Sequence, residues 1–247
     1  KRPVWAGIVL GLVAVTKPPL ALFGFFFLFR RDVRGLLGFA ATGVVAVVFS
    51  LLAFGWETNL FWFETSVLKY SQSWLADFSV QSIPAFLERI TLGGGAGDWA
   101  PRAPSPLEKL AAQLATAMIF ALAAYACWKN AAQKESDPRD RLTLQFLLVV
   151  TLSIAASPLS WAHYYMWLLA PAAFFLGWRE TLSKQERLWG WVGIACITPL
   201  VTWTPPESRA ALPAIYTSFL ASHFLFGGLI WFGLIAKRLI KAAPAQA

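Results

Sequence analysis

Apolar residues in this 247-residue chain come in runs of roughly 15 to 25, separated by polar stretches that hold most of its Lys and Arg. A helix of about 20 apolar residues covers the ~30 Å hydrocarbon layer of a bilayer. Six runs are of spanning length, at residues 36 to 54, 110 to 128, 142 to 156, 163 to 178, 188 to 204 and 214 to 236. The pattern predicts an all-α polytopic transmembrane protein with no internal repeat of fixed period.

Residues 3 to 29 depart from that pattern. The stretch is long enough for one tilted span, yet Lys17, Pro18 and Pro19 interrupt its middle. Proline removes a helical donor and clashes with the preceding turn, so two half-helices forming a re-entrant hairpin are the alternative. Charge decides between them, because cytoplasmic loops carry the excess of Lys and Arg. With a hairpin, fifteen basic residues fall on one side and five on the other; with one crossing, seven lie inside against thirteen outside, Lys17 being left out of both counts. The hairpin is preferred. It places both chain ends in the cytoplasm and residues 55 to 108 outside as one long segment.

That segment mixes Phe61, Trp62, Phe63, Tyr70, Trp74, Phe78, Phe86 and Leu87 with polar residues, so it is expected to hold helices lying on or dipping into the interface. Long loops with structure of their own usually serve function. Its Gly- and Pro-rich end, residues 93 to 106, reads as a flexible linker. The Gly-Lys-Ser/Thr ending of a nucleotide-binding P-loop is missing. Lys129 to Arg141 reads as a solvated connection.

Composition agrees with the membrane reading. Hydrophobic residues make up 57% of the chain and charged ones 14%, where a soluble domain carries about a quarter. Trp5, Trp56, Trp62, Trp128, Trp161, Trp178 and Trp203 sit at the ends of apolar runs, as an interfacial aromatic belt requires. The formal charge of +8 does not point to nucleic acid, because the basic residues punctuate apolar runs instead of forming a patch. Cys127 and Cys196 lie inside apolar runs and read as inert buried thiols. The first run lacks a signal-peptide cleavage site, and the chain is expected to be the C-terminal part of a longer protein.

Ionisable groups inside a membrane are costly and mark functional sites by default. The spans and hairpin offer Lys17, His163 and His223. His163 follows Ser157-Pro158-Leu159-Ser160-Trp161-Ala162. Pro158 ends one span, Ser160 is a suitable N-cap, and the next helix is expected from about Trp161. The histidine would then stand in a first turn, where helix-terminal N–H groups suit a phosphate. Lys17 sits at the hairpin apex, where a phosphate would neutralise the cation and satisfy freed backbone; the alternative is a snorkelling anchor. His223 reads as packing or an interhelical hydrogen bond. Glu88 and Arg89 read as solvated charges on a helix from Ile83 to Ile90. Sugar transfer needs a base, usually a carboxylate, and of the carboxylates on the outer side Glu64 and Asp77 are favoured by their aromatic-rich surroundings over Glu57, Glu88, Asp98 and Glu207.

Together, the stretch Ser157 to His163, the turn Thr16-Lys17-Pro18-Pro19-Leu20 with the Phe/Leu run and Arg30-Arg31 after it, and the pair Gln81-Ser82 resemble glycosyltransferase family 87. This is a GT-C family of polyprenol-phosphate-mannose-dependent mannosyltransferases. The resemblance implies a GT-C-like helical bundle and inverting transfer of mannose or another hexose from a polyprenyl-phosphate sugar. The acceptor would be an extracytoplasmic glycan or glycolipid, with no metal and no cofactor beyond the lipid-phosphate donor. It places His163, Lys17 and Ser160 near the donor phosphate and Gln81, Ser82 and Tyr164 among loop contacts. It also implies a catalytic aspartate upstream of this chain and a multi-pass place in the bacterial inner membrane. Three positions depart from the family: Ala162 where many members have an acidic residue, Tyr164 where many have a second histidine, and Val80 where many have Asn. The rival reading is a membrane transporter or lipid-linked-sugar flippase, which would also use broken helices.

Overall fold

The computed structural model describes residues 2–68, 73–92, 101–132, 138–198 and 214–241. The glycine-rich stretch 93–100 with Asp98, the connection 133–137, and Trp203 and Glu207 lie outside these residues. Among the described residues regular structure is helical, and extended pairing is confined to isolated antiparallel bridges of Trp74 with Arg102 and of Val80 with Trp161. The chain is an all-α polytopic membrane protein. Helices at Val33–Leu68, Pro106–Asn130 and His223–Lys241 are each long and apolar enough to cross a bilayer. The chain forms two compact units, Lys1–Gln72 and Ser73–Ala247.

In the first unit α1 (Pro3–Thr16) leads into a 3-10 turn (Pro18–Leu22), α2 (Phe23–Phe29) and α3 (Val33–Trp62), which ends in a π-helical turn (Phe63–Leu68). Pro18 forces Lys17 out of the helical region, to φ −137° and ψ 86°, and ends α1 there. Small residues then let α1 lie directly on α3. A Cβ at Gly7 would overlap the Gly35 carbonyl and come 2.8 Å from Phe39 N, and one at Gly11 would come 2.8 Å from Thr42 Cβ. A Cβ at Gly38 would strike the Val4 carbonyl. Partners on α3 advance in number as those on α1 do, so the two helices run the same way and residues 17–32 double the chain back between them. The return is closed by Asp32, whose carboxylate caps α3 by accepting from Gly35 N at 3.0 Å.

The long helix α3 is broken once. Gly55 adopts φ 77° and ψ 167°, a conformation open essentially to glycine alone. The Asn59 amide answers the freed carbonyls, donating to Gly55 O at 2.7 Å and Ser50 O at 3.2 Å while accepting from Ser50 Oγ. Before the break, Val44, Val45, Phe49 and Leu52 are exposed, a surface suited to lipid and not to water.

The second unit contains α4 (Ile83–Thr91), α5 (Pro106–Ala132), α6 (Pro138–Ala155), a 3-10 helix (Ala162–Leu168), α7 (Leu169–Trp178), a 3-10 turn (Arg179–Thr181), α8 (Lys184–Cys196), α9 (Ala214–Ala221) and α10 (His223–Lys241). Helix α10 is the central strut, packed on α5, α6 and α8. Its Leu225, Trp231, Phe232 and Leu239 are buried, as are Leu147, Leu148, Leu152 and Ile154 of α6, one of the helices it packs on. At its C-terminal end Arg238 lies 4.6 Å over the Trp178 ring and donates to Thr181 Oγ1, and Lys237 pairs with Glu186 at 3.0 Å. His223 bonds the Cys196 carbonyl across helices.

The apolar run 214 to 236 is therefore two helices, not one, with the break at Ser222. The run 163 to 178 opens as a 3-10 helix, and α8 ends at Cys196 within the run 188 to 204.

Gly7→Val and Gly38→Val are expected to lower the stability of the α1–α3 packing by about 1–3 kcal/mol each, the usual cost of overpacking. Gly43→Ala, with nothing within 4 Å of its Cβ position, should be neutral or better. Thermal unfolding in detergent reads the contrast, and an unchanged midpoint for Gly7→Val would remove the close approach from the argument.

Candidate functional site

The segment Ser157 to Tyr165 is positioned by Ser79 to Gln81, laid against it. Gln81 N donates to Ser160 O at 2.6 Å and Ala162 N donates to Ser79 O at 2.7 Å, the pair of bonds that makes the Val80–Trp161 bridge. Beneath the bridge Val80, Leu75 and Ala85 form a small apolar core on which Leu159 and Trp161 rest. Two sequence motifs some eighty residues apart are thus one local structure.

The expected N-cap is not observed. Trp161 occupies the cap position without a side-chain cap, and Ser160 is fully buried behind it, on the Tyr165 side of the strand. The helix opens as 3-10, with Tyr164 N already bonded to Trp161 O at 2.9 Å and Ala162 N to Ser79 O. Ala162 N and Tyr164 N are therefore occupied, and the turn carries the exposed side chain of His163. His163 is exposed, edge-on to Tyr164 at 4.5 Å, and Tyr164 stacks on Trp167 at 5.1 Å. Tyr165 points the opposite way, buried, its hydroxyl donating to Gln81 O at 2.6 Å. An anion docking here would meet an imidazole flanked by an aromatic pair.

Behind the turn lies a buried polar cluster that the sequence reading placed in solvent. Arg89 is fully buried, and its guanidinium donates to the carbonyls of Ala76, Asp77 and Val80 at 2.9–3.2 Å and twice to Ser222 Oγ at 2.8 and 3.1 Å. Burial lowers its pKa to about 10, opposed by the nearby Asp77 charge, so it stays protonated at neutral pH. Glu88 is buried as well; desolvation raises its carboxyl above the usual range, while Arg102 pulls the other way from 3.2 Å. Arg102 also pairs with Glu108, and its backbone is bridged to Trp74. The 101–105 end of the expected flexible linker is thus tied down. The signal was legible: Glu88 and Arg89 follow Pro84 and Ala85 by four residues, which puts them on the buried face of α4.

The remaining candidates separate. Asp77 is fully buried, with Oδ1 accepting from Ser79 N at 2.7 Å and from Ser79 Oγ. Glu64 is exposed on the π-helical turn of the first unit. Lys17 also belongs to the first unit. Its N–H donates to Val13 O and its carbonyl accepts from Leu20 N, both at 2.9 Å, so the local turn satisfies the backbone that a phosphate was expected to serve. Gln81 and Ser82 are fully buried, Ser82 capping α4 by accepting from Ala85 N at 3.2 Å. Reading by sequence alone missed Arg89, Tyr165 and Ser222.

The family model described as Glycosyltransferase family 87 matches residues 1–158, which includes Lys17, Gln81 and Ser82 and stops short of Ser160 and His163. A curated relative from Mycolicibacterium smegmatis, named polyprenol-phosphate-mannose-dependent alpha-(1-2)-phosphatidylinositol mannoside mannosyltransferase, is 26% identical over 260 residues, covering 100% of this chain and 55% of the relative. A protein of the same name from Mycobacterium tuberculosis is 27% identical over 209 residues, covering 83% of this chain and 44% of its own length. The chain spans about half the length of these curated relatives. No solved structure matches.

Arg89→Met is expected to cost about 3–5 kcal/mol, because it leaves three carbonyls, a serine and the Asp77 charge without their cation. Arg89→Lys should fare little better, since one ammonium has three donors where the guanidinium has five in a fixed fork. Limited proteolysis of residues 73–92 and the melting temperature check both, and a wild-type pattern for Arg89→Lys would show that charge alone suffices.

Proposed function

This chain belongs to glycosyltransferase family 87, and we propose that its parent protein transfers a hexose, mannose foremost, from a polyprenyl-phosphate sugar to an extracytoplasmic glycolipid or glycan. The observation that carries this reading is the donor in the names of the two relatives, polyprenol-phosphate-mannose, which align over 100% and 83% of the chain. Their acceptor, phosphatidylinositol mannoside, makes a membrane glycolipid the first acceptor class to try. The fifteen-to-five distribution of basic residues supports a bacterial inner-membrane protein with both ends of this chain in the cytoplasm.

In this reading the transfer is inverting and metal-independent. The acceptor oxygen attacks the anomeric carbon, the bond from that carbon to the phosphate oxygen breaks, and the lipid phosphate departs with the electron pair. A carboxylate takes the acceptor proton. His163 hydrogen-bonds the departing phosphate, and Lys17, in the first unit, is carried by the family resemblance as a further candidate for phosphate binding. Within this chain Glu64, which is exposed, and Asp77, which is buried beside Ser79, are the two weaker candidates for that base. The family resemblance favours an aspartate of the first extracytoplasmic loop, upstream.

The test is transfer of radiolabelled mannose from polyprenyl-phosphate-mannose in membranes expressing the full-length parent. His163→Ala is expected to lower transfer about a hundredfold, the scale for losing one donor to developing charge, with insertion unchanged. Lys17→Ala should lower it as well. If the wild type transfers nothing from mannose, glucose or arabinose donors, lipid-linked-sugar transport becomes the better reading.

A further inference from the structure

Helices α9 and α10 would be one helix but for Ser222. In an unbroken helix the Leu225 N–H would donate to the Ala221 carbonyl, four residues back. Here the side-chain amide of Gln81 stands between them. Its Nε2 donates to Ala221 O at 2.5 Å, and its Oε1 accepts from Leu225 N at 3.4 Å. The inserted amide is a recognised cause of a helix kink. The second Nε2 hydrogen goes to Phe78 O.

The backbone of the same residue faces the other way. Gln81 N holds Ser160 O, and Gln81 O holds the Tyr165 hydroxyl, each at 2.6 Å. Ser160 and Tyr165 bracket His163 on either side. Gln81 is fully buried, and both its amide groups and both its backbone groups are engaged. We infer that Gln81 is a positioning residue: by splicing the α9–α10 break it fixes the turn that presents His163.

Glutamine suits this place because its head carries a donor and an acceptor on one plane. Glutamate keeps the length but sets an oxygen against the Ala221 carbonyl. Leucine keeps the volume but leaves Ala221 O and Leu225 N unpaired in a dry interior. Either change loosens the side-chain anchor, and the bonds to Ser160 and Tyr165 then hang from a mobile backbone. Arg89 secures the other side of the break through Ser222 Oγ, which donates in turn to Ser218 O at 2.7 Å. Removing Gln81 should therefore loosen the turn without dismantling the unit.

The inference rests on the reading of His163 as the donor-phosphate residue, and its test has one readout that does not. Full-length parent protein in lipid nanodiscs, as wild type, Gln81→Leu, Gln81→Glu, His163→Ala and the Gln81→Leu/His163→Ala double variant, is followed by amide hydrogen exchange and by transfer kinetics. Both Gln81 variants are expected to speed exchange at Leu225 and across residues 160–166. They should raise the KM for polyprenyl-phosphate-mannose at least about tenfold, the scale of a misplaced binding group, while the acceptor KM holds. Added to His163→Ala, Gln81→Leu should cost little more, because it acts through the same residue. Unchanged exchange over 160–166 in both variants, or losses that multiply in the double variant, would overturn the inference. Should His163→Ala transfer like the wild type, the donor-phosphate reading falls alone, and the exchange result still decides whether Gln81 holds the turn.

Discussion

A guanidinium taken fully out of water must find partners for its whole fork, and Arg89 sets that requirement for the second unit. Its N–H groups reach three carbonyls in a stretch with no regular hydrogen bonding of its own, Ala76 to Val80. The dependence is mutual. An irregular backbone buried among helices carries carbonyls that need partners, and besides the guanidinium Asp77 O has one in Val80 N, at 3.0 Å. The charge is compensated by Asp77, which is itself held in a tight turn by Ser79. The arginine therefore does for residues 76–80 what a neighbouring strand would do in a sheet.

The same cation reaches the helix break. Ser222 Oγ accepts two of its bonds, and Gln81 answers the carbonyl and N–H that the break exposes. Broken helices at membrane depth persist only where protein groups re-satisfy the backbone. Gly55 and Asn59 in the first unit solve that problem locally, within one helix. At Ser222 the solution comes from residues more than a hundred positions away, so the segment that carries Gln81 and Arg89 and the helix break stand or fall together.

That difference explains what was readable in the sequence. Helix existence, the interruption at Lys17-Pro18-Pro19 and the helix from Ile83 follow from local signals of apolar run length and proline. The break at Ser222 has no such signal, since neither proline nor glycine marks it and its cause is a side chain from a distant loop. The N-cap at Ser160 failed for a related reason. A serine before a helix caps it only if its hydroxyl is free to turn toward the first N–H groups, and the Val80–Trp161 bridge holds this residue extended and buried. Glu88 and Arg89 were misplaced by averaging. Adjacent charges suggest solvent, but their four-residue spacing from Pro84 and Ala85 shows the face they share.

The three residues set against the family resemblance, Val80, Ala162 and Tyr164, have structural roles on the same ground. Val80 fills the small core with Leu75 and Ala85 under Leu159 and Trp161, so an apolar side chain here strengthens the docking of the loop on the histidine turn. Ala162 serves through its backbone, bonded to Ser79 O. Tyr164 presents a ring that packs edge-on against His163 and stacks on Trp167. All three residues lie on the turn or on the segment that holds it. Residues that define the frame, Gln81, Arg89, Tyr165 and Ser222, are buried and bonded to one another or to the same backbone, whereas the His163 side chain faces out from that frame.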